Sequence, residues 1–174
     1  MSSDKKILSL KELLKKISSL KKKNKKIVLC HGVFDILHIG HIKHFESAKK
    51  NGDILVVTVT KDQYVNKGTH RPTFKINDRL LALASLNCVD FVSQNDWPTA
   101  INTIKFLKPH FYCKGSDYKQ SKEDITNQIK NEINAIKSVG GKILYTNEDT
   151  FSSSKIFNNY SVYFTDSQKT FLKK

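Results

Sequence analysis

Two histidines three residues apart, in the run His38-Ile39-Gly40-His41, follow a glycine-containing turn, Gly32-Val33-Phe34-Asp35. The turn comes after an apolar run from Ile27 to Cys30 and before residues with helical periodicity, Ile42, Phe45 and Ala48. That order reads as strand, turn and helix start. Residues three apart share one face of a helix's first turn. There, unpaired backbone N–H groups and the positive end of the helix dipole favour an anion. Gly40 removes a side chain where a ligand would approach the backbone. Paired imidazoles at such a helix end suit chemistry centred on phosphate. Zinc is a poor reading of the same residues, because Cys30 brings no second cysteine. The turn is neither a P-loop nor a GxGxxG motif, which excludes kinase and dinucleotide-binding readings at this position.

The elements that must hold these residues alternate along the chain. Ile7, Leu10, Leu13, Leu14 and Ile17 recur at helical spacing, with Ser9 as N-cap and Glu12 three residues on, so an amphipathic entry helix is expected on the domain edge. Strand patterns are expected over 27–31, 54–60, 89–92, 111–113 and 142–146. Helices are expected over 40–50, around 80–84, from Asp96 to about Leu107, near 124–139 and over 152–159. Such alternation predicts an α/β fold: a Rossmann-like parallel sheet of about five strands, with helices on both faces. Ligands in such sheets bind beyond the carboxyl ends of the strands, near the switch in strand order. The loops over 31–41, 61–71, 114–118 and 148–155 follow strands and converge on that rim.

With 174 residues, 39% of them apolar, the chain suits one domain with a real core. Cys30, Cys88 and Cys113 lie scattered in apolar runs and read as buried free thiols in a reducing compartment. No apolar run approaches the ~20 residues of a membrane span and no signal-peptide core opens the chain. A cytoplasmic location without a membrane partner is therefore expected. The net charge of +14 comes largely from lysine-rich segments, Lys5 to Lys26 and Lys169 to Lys174. Arginines interleaved with aromatics are sparse, so no nucleic-acid partner is expected. The lysines read as solvated faces that also attract small polyanions. His31 and His44 read as packing or surface residues, Asp35 as a cap on loop amides, and Trp97 as a staple onto the core.

Four more motifs follow the histidine pair in order: Lys67-Gly68-Thr69-His70-Arg71-Pro72, Asn77-Asp78-Arg79, Lys114-Gly115-Ser116-Asp117-Tyr118, and Glu148-Asp149-Thr150-Phe151-Ser152-Ser153-Ser154-Lys155-Ile156. Together with HxGH they resemble the cytidylyltransferase-like branch of the nucleotidyltransferase superfamily, which includes glycerol-3-phosphate cytidylyltransferases and heptose-1-phosphate adenylyltransferase domains. The resemblance implies transfer of a nucleoside monophosphate from ATP or CTP to a sugar phosphate or polyol phosphate, with release of pyrophosphate, for surface-glycan precursors. By the same resemblance His38, His41 and Lys43 are catalytic. Gly32, Val33, Phe34, Gly40, Arg79, Lys114, Asp117, Ser152, Ser153 and Ser154 bind the nucleotide, and Lys67, Arg71 and Tyr118 bind the acceptor. Mg²⁺ is expected as the triphosphate's counter-ion. No carboxylate cluster marks a metal cage of the protein's own.

The motifs mix two branches. Lys43 follows the glycerol-3-phosphate pattern, whereas Glu148-Asp149 follows the heptose pattern, and Asn147 stands where the cytidylyltransferases carry arginine. Base and acceptor stay open, and Phe151 with Asn147 leaves an alternative: a catalytically inactive nucleotide-binding regulatory or interaction module. The expected organisation is an N-terminal helix and basic linker over 1–26, a nucleotidyltransferase domain over 27–159, and a tail over 160–174. The tail carries Tyr160, Tyr163, Phe164, Phe171 and Leu172 without an evident partner. It is expected to start a linker or make a dimer contact, giving a homodimer. The resemblance also implies a sugar-kinase domain on the same or another chain.

Overall fold

A capping box starts the first long helix, as Ser9 and Glu12 predict. Ser9 Oγ accepts from the Glu12 amide and Glu12 Oε2 accepts from the Ser9 amide at 2.9 Å. The computed structural model describes residues 3–68, 71–115 and 128–146. Within them, helix α1 (Leu10–Lys22) buries Leu10, Leu13 and Ile17 at helical spacing. These side chains pack against Ala100, Ile104 and Leu107 of α4 (Ala100–Leu107) and Phe91 of the sheet. Each such fully buried side chain contributes roughly 1.5–3 kcal/mol.

Five parallel strands, β1 (Ile27–Gly32), β2 (Ile54–Thr60), β3 (Phe91–Asn95), β4 (Phe111–Gly115) and β5 (Lys142–Thr146), lie in the order β3-β2-β1-β4-β5. Strand β1 is central, and its side chains alternate between two cores. Ile27 and Leu29 join α1, α4 and α5 (Ile129–Ser138) on one face. Val28 and Cys30 join α2 (Ile39–Lys49) and α3 (Ile76–Ala84) on the other. Continuing that alternation sends His31 toward the α4/α5 face and Gly32 toward α2. Strand order reverses between β1 and β4, so the crevice for a ligand opens at their carboxyl ends.

At the far edge, Ile7 makes an isolated parallel bridge to Val92, and the Leu8 amide donates to the Val92 carbonyl at 2.9 Å. Among the described residues no helix is long and apolar enough to cross a membrane.

Several boundaries differ from the sequence expectation, each for a local reason. Strand β3 runs over Phe91–Asn95 rather than 89–92, in register with Val56 through Thr60 of β2. Its polar residues are satisfied inside: Asn95 bonds Thr103 and donates to the carbonyls of Trp97 and Thr99. Those bonds shape residues 96–99 into a turn, so α4 begins at Ala100 instead of Asp96. Strand β4 continues through Lys114 and Gly115, which pair with Tyr145 and Thr146 and fix Lys114 on a strand rather than a loop. Helix α5 is described from Ile129, and residues 124–127 lie outside the description. Cys30 and Cys113 are buried, free and in register across β1 and β4, whereas Cys88 is only half-buried. Trp97 packs on the α4 core beside Phe106, at 6.0 Å between rings.

Candidate active site

His38 is the N-cap residue of α2, with extended backbone and no capping bond from its side chain. Its carbonyl accepts from the His41 amide at 2.9 Å, closing the first turn. The two rings stack, 3.8 Å between centroids and 25° between planes. The His41 ring stands edge-on to Phe34 at 5.3 Å and lies near Phe45 at 6.5 Å. Phe34 itself has φ of 48°, a left-handed backbone that is uncommon for a side chain of this bulk. Its ring covers Gly32 so closely that a Cβ there would come within 2.9 Å of it. A side chain at position 32 would have to displace the Phe34 ring, which packs against His41 and Phe45. The turn between β1 and α2 thereby seats His41.

Burial, reinforced by His38, His44 and Lys67, pushes the His41 pKa down to about 3. Burial also lowers His38. Both rings are therefore neutral near pH 7, each offering one N–H donor rather than a fixed charge.

Beneath this turn, two arginines are committed to the protein. Asp35 accepts from the Thr73 and Phe74 amides, both at 2.9 Å, which is the amide-capping role its position suggested. Arg71 Nε lies 2.8 Å from Asp35 Oδ2, and the Arg71 side chain is largely buried. Arg79 has no exposed side-chain surface. Its guanidinium donates to the carbonyls of Phe74 (3.0 Å), Val33 (2.5 Å) and Thr60 (2.9 Å) and to Asp62 (2.6 Å). This departs from the phosphate contact expected of Arg79. Its donors instead tie the β1 turn, the end of β2 and the loop before α3 into one unit. Arg71, expected at the acceptor, pairs with Asp35 through Nε.

On the α4/α5 face, a cavity of about 190 Å³ opens at the carboxyl ends of β1, β2 and β4. It is lined by His31, Thr60, Lys67, Lys114 and Glu132, with Val33, Pro98 and Ile129 as apolar wall. His31 is wedged between Thr58 Oγ1 (3.0 Å from Nδ1) and Thr60 Oγ1 (3.3 Å from Nε2). Burial, with Lys114 nearby, holds its pKa at about 3. Lys114 Nζ lies 3.0 Å from Glu132 Oε2, and the Tyr112 hydroxyl donates to the same oxygen at 3.0 Å. Lys67 joins the two regions, because it lines the cavity and its charge is felt at His41.

Of the expected site residues, the structure brings Gly32, Val33, Phe34, His38, Gly40 and His41 together around the first turn of α2. Lys43 stands exposed on that helix. Lys67 and Lys114 line the cavity. Asp117, Tyr118, Ser152, Ser153 and Ser154, together with the tail over 160–174, lie outside the described residues. Sequence reasoning missed Glu132, Thr60 and the placement of His31. A signal for Glu132 existed: with Ile129 and Ile136 it occupies the buried stripe of α5, where a charge is out of place. His44 is half-buried and bonded through Nδ1 to Thr146 Oγ1 at 2.8 Å, and burial lowers its pKa to about 4.

These depressed histidines make a stability prediction. Unfolded imidazoles take up protons near pH 6.5, while His31, His41 and His44 stay neutral in the fold down to about pH 3–4. Stability is therefore fully present above pH 6.5 and falls as pH drops toward 3, by up to about 1.4 kcal/mol per pH unit for each histidine. Asp35, with its lowered pKa, loses its contribution only below about pH 4. Urea unfolding at pH 7, 6 and 5 isolates the histidines. A free energy that is flat or rising on acidification contradicts this assignment.

The comparisons agree with this geometry. Residues 29–159 match the family model described as cytidylyltransferase-like. The bifunctional protein HldE of Aliarcobacter butzleri is 38% identical over 143 residues, covering 81% of this chain and 30% of that protein. The bifunctional protein HldE of Campylobacter fetus is 43% identical over 141 residues, covering 80% of this chain and 30% of that protein. The chain thus spans about 30% of the length of these relatives. A crystal structure of a lipopolysaccharide core biosynthesis protein from Thermoplasma volcanium superposes with a TM-score of 0.57 at 31% identity, over 72% of this chain and 99% of that one. Pantoate-beta-alanine ligase from Francisella tularensis, at 17% identity and a TM-score of 0.55, covers 92% of this chain and 73% of its own, and shares the fold. With its stacked HxGH imidazoles at the mouth of a five-stranded parallel sheet, this chain belongs to the cytidylyltransferase-like family of nucleotidyltransferases.

Proposed function

We propose that this chain transfers a nucleoside monophosphate from a nucleoside triphosphate to the phosphate of a sugar phosphate, releasing pyrophosphate. ATP and an aldoheptose 1-phosphate are the favoured pair, in line with the HldE relatives and the lipopolysaccharide core biosynthesis protein it resembles. The observation that carries this reading is the neutral, stacked pair His38 and His41 beside a polar cavity at the strand-order switch.

In this reading the α-phosphate rests at the N-terminus of α2, where backbone N–H groups and both imidazoles donate to it. An acceptor phosphate oxygen attacks phosphorus while the bond to the bridging oxygen breaks. The histidines strengthen their hydrogen bonds as charge moves to that oxygen. Their neutrality matters, because a neutral donor adds no fixed charge that would hold the product. Lys67, between the cavity and His41, draws the acceptor phosphate toward the reacting centre, and Lys43 on the exposed side of α2 meets the departing diphosphate. Alignment and charge stabilisation supply most of the acceleration in such transfers. Mg²⁺ accompanies the triphosphate and neutralises its charge. Among the described residues no three His, Cys, Asp or Glu side chains gather as metal ligands. Asp35 is committed to two amides and Arg71. In this reading the triphosphate's own oxygens and water would hold the ion.

The sugar 1-phosphate requires a kinase upstream, on the same polypeptide or another, which suits relatives named as bifunctional. The cytoplasm, where triphosphates are held, is the compartment of this reading. A grid of the four triphosphates with Mg²⁺ against sugar and polyol phosphates, read as pyrophosphate release, tests it. Turnover is expected with ATP and aldose 1-phosphates. Tight triphosphate binding with no turnover for any pair would select the inactive-module reading instead.

A further inference from the structure

The α4/α5 face of the sheet is polar where a parallel sheet is normally apolar. Thr58, Thr60, Ser93, Asn95, Lys114 and Glu132 are all buried there. Thr58 and Thr60 bond His31, Asn95 bonds Thr103, and Ser93 donates to the Gln94 carbonyl, which leaves the buried pair Lys114 and Glu132. Glu132 is 5% exposed, it lines the cavity, and its contacts from Tyr112 and Lys114 both fall on Oε2. Among the described residues no hydrogen bond or ion pair falls on Oε1. Burying this ion pair gives the fold little, since well-packed apolar residues in place of such pairs are often neutral or stabilising. A cavity-lining carboxylate with one oxygen outside these bonds can accept hydrogen bonds from a ligand.

The cavity indicates which ligand. At about 190 Å³ it is smaller than the roughly 300–1,000 Å³ of pockets for drug-sized molecules, and so suits one small ring. A carboxylate repels anions, so the acceptor's phosphate belongs at the other end, beside Lys67 and His41. Thr60 on β2 and Lys114 on β4 flank the central strand, two strand spacings across and two residues along, so roughly 12 Å apart at the backbone. A single sugar ring with its phosphate can bridge that span.

We propose that Glu132 is a specificity-determining residue: its Oε1 accepts hydrogen bonds from hydroxyls of a neutral sugar ring whose phosphate points toward Lys67. Lys114 and Tyr112 hold the carboxylate in place. This rests on the transfer reading above and adds the acceptor's orientation and the residue that reads its hydroxyls.

The test is a cycle between side chain and substrate, on the full chain. Acceptor kcat and KM are measured with ATP and a set of aldose 1-phosphates and their monodeoxy counterparts, for the native protein and Glu132→Gln. The native protein is expected to lose about 10- to 100-fold in kcat/KM with the deoxy sugar lacking the partnered hydroxyl. Glu132→Gln should raise acceptor KM with little change in kcat and reduce that deoxy penalty to a few-fold, with ATP affinity by calorimetry unchanged. Glu132→Asp, which keeps a charge against Lys114, carries the same comparison if the glutamine variant does not fold. Equal deoxy penalties in native and variant proteins overturn the proposal. A native protein inactive with every pair ends the transfer reading and this inference together, whereas an active one with surviving penalties ends only this one.

Discussion

His41→Ala is expected to reduce turnover by about 10²- to 10³-fold, the usual loss for one pre-aligned donor to a developing oxyanion. Triphosphate affinity should change only a few-fold, because the α2 backbone that receives the phosphate remains. His38→Ala should fall in the same range. The double variant should cost less than the product of the two, because stacked rings 3.8 Å apart act as one unit. His41 also packs against Phe34 and Phe45, so a melting curve must accompany the kinetics. Single-turnover rates with saturating ATP separate the chemical step from binding. An alanine variant that keeps native turnover removes the imidazoles from the chemistry.

The second large effect is on folding. Arg79→Ala withdraws the donors that satisfy three carbonyls and Asp62 in a site closed to solvent. Each buried acceptor left without a donor costs about 1–3 kcal/mol. The carboxylate of Asp62 is 40% exposed and recovers water, which limits its share. A loss of at least about 3 kcal/mol is expected, lowering Tm by roughly 6–12 °C for a chain of this length. Arg79→Lys should recover little, since one ammonium cannot reach four acceptors arranged around a planar fork. Thermal unfolding of both variants decides it. A melting temperature within 2 °C or so of the native value would mean that the clamp is dispensable. Any loss of activity in these variants should track the melting curve rather than precede it.

Much of this molecule was legible in its sequence, and the failures share a cause. The capping box of α1, the bounds of β2 and β5, and the strand–turn–helix holding His38 and His41 followed from local spacing alone. The partners of Arg79 did not, because Val33, Thr60 and Asp62 lie 17 to 46 positions away and meet it only through topology. A motif arginine reads as a phosphate ligand until its donors are traced to carbonyls. Glu132 was hidden differently. Its place in an apolar stripe is visible, but its meaning depends on Tyr112 and Lys114 projecting from β4 to the same face. Boundaries slipped at β3 and α4 because Asn95 satisfies turn carbonyls that helix patterns ignore.

The short stretch ahead of α1 has a role that its position at the chain's start conceals. Outermost strands present rows of unsatisfied amides and carbonyls on which neighbouring molecules can template. Here Ile7 and Leu8 cover that row at Val92 of β3, and α1 then folds back over the adjoining apolar surface. The opening residues thus act as a selvedge at that point, leaving less of the woven margin open to pairing between molecules.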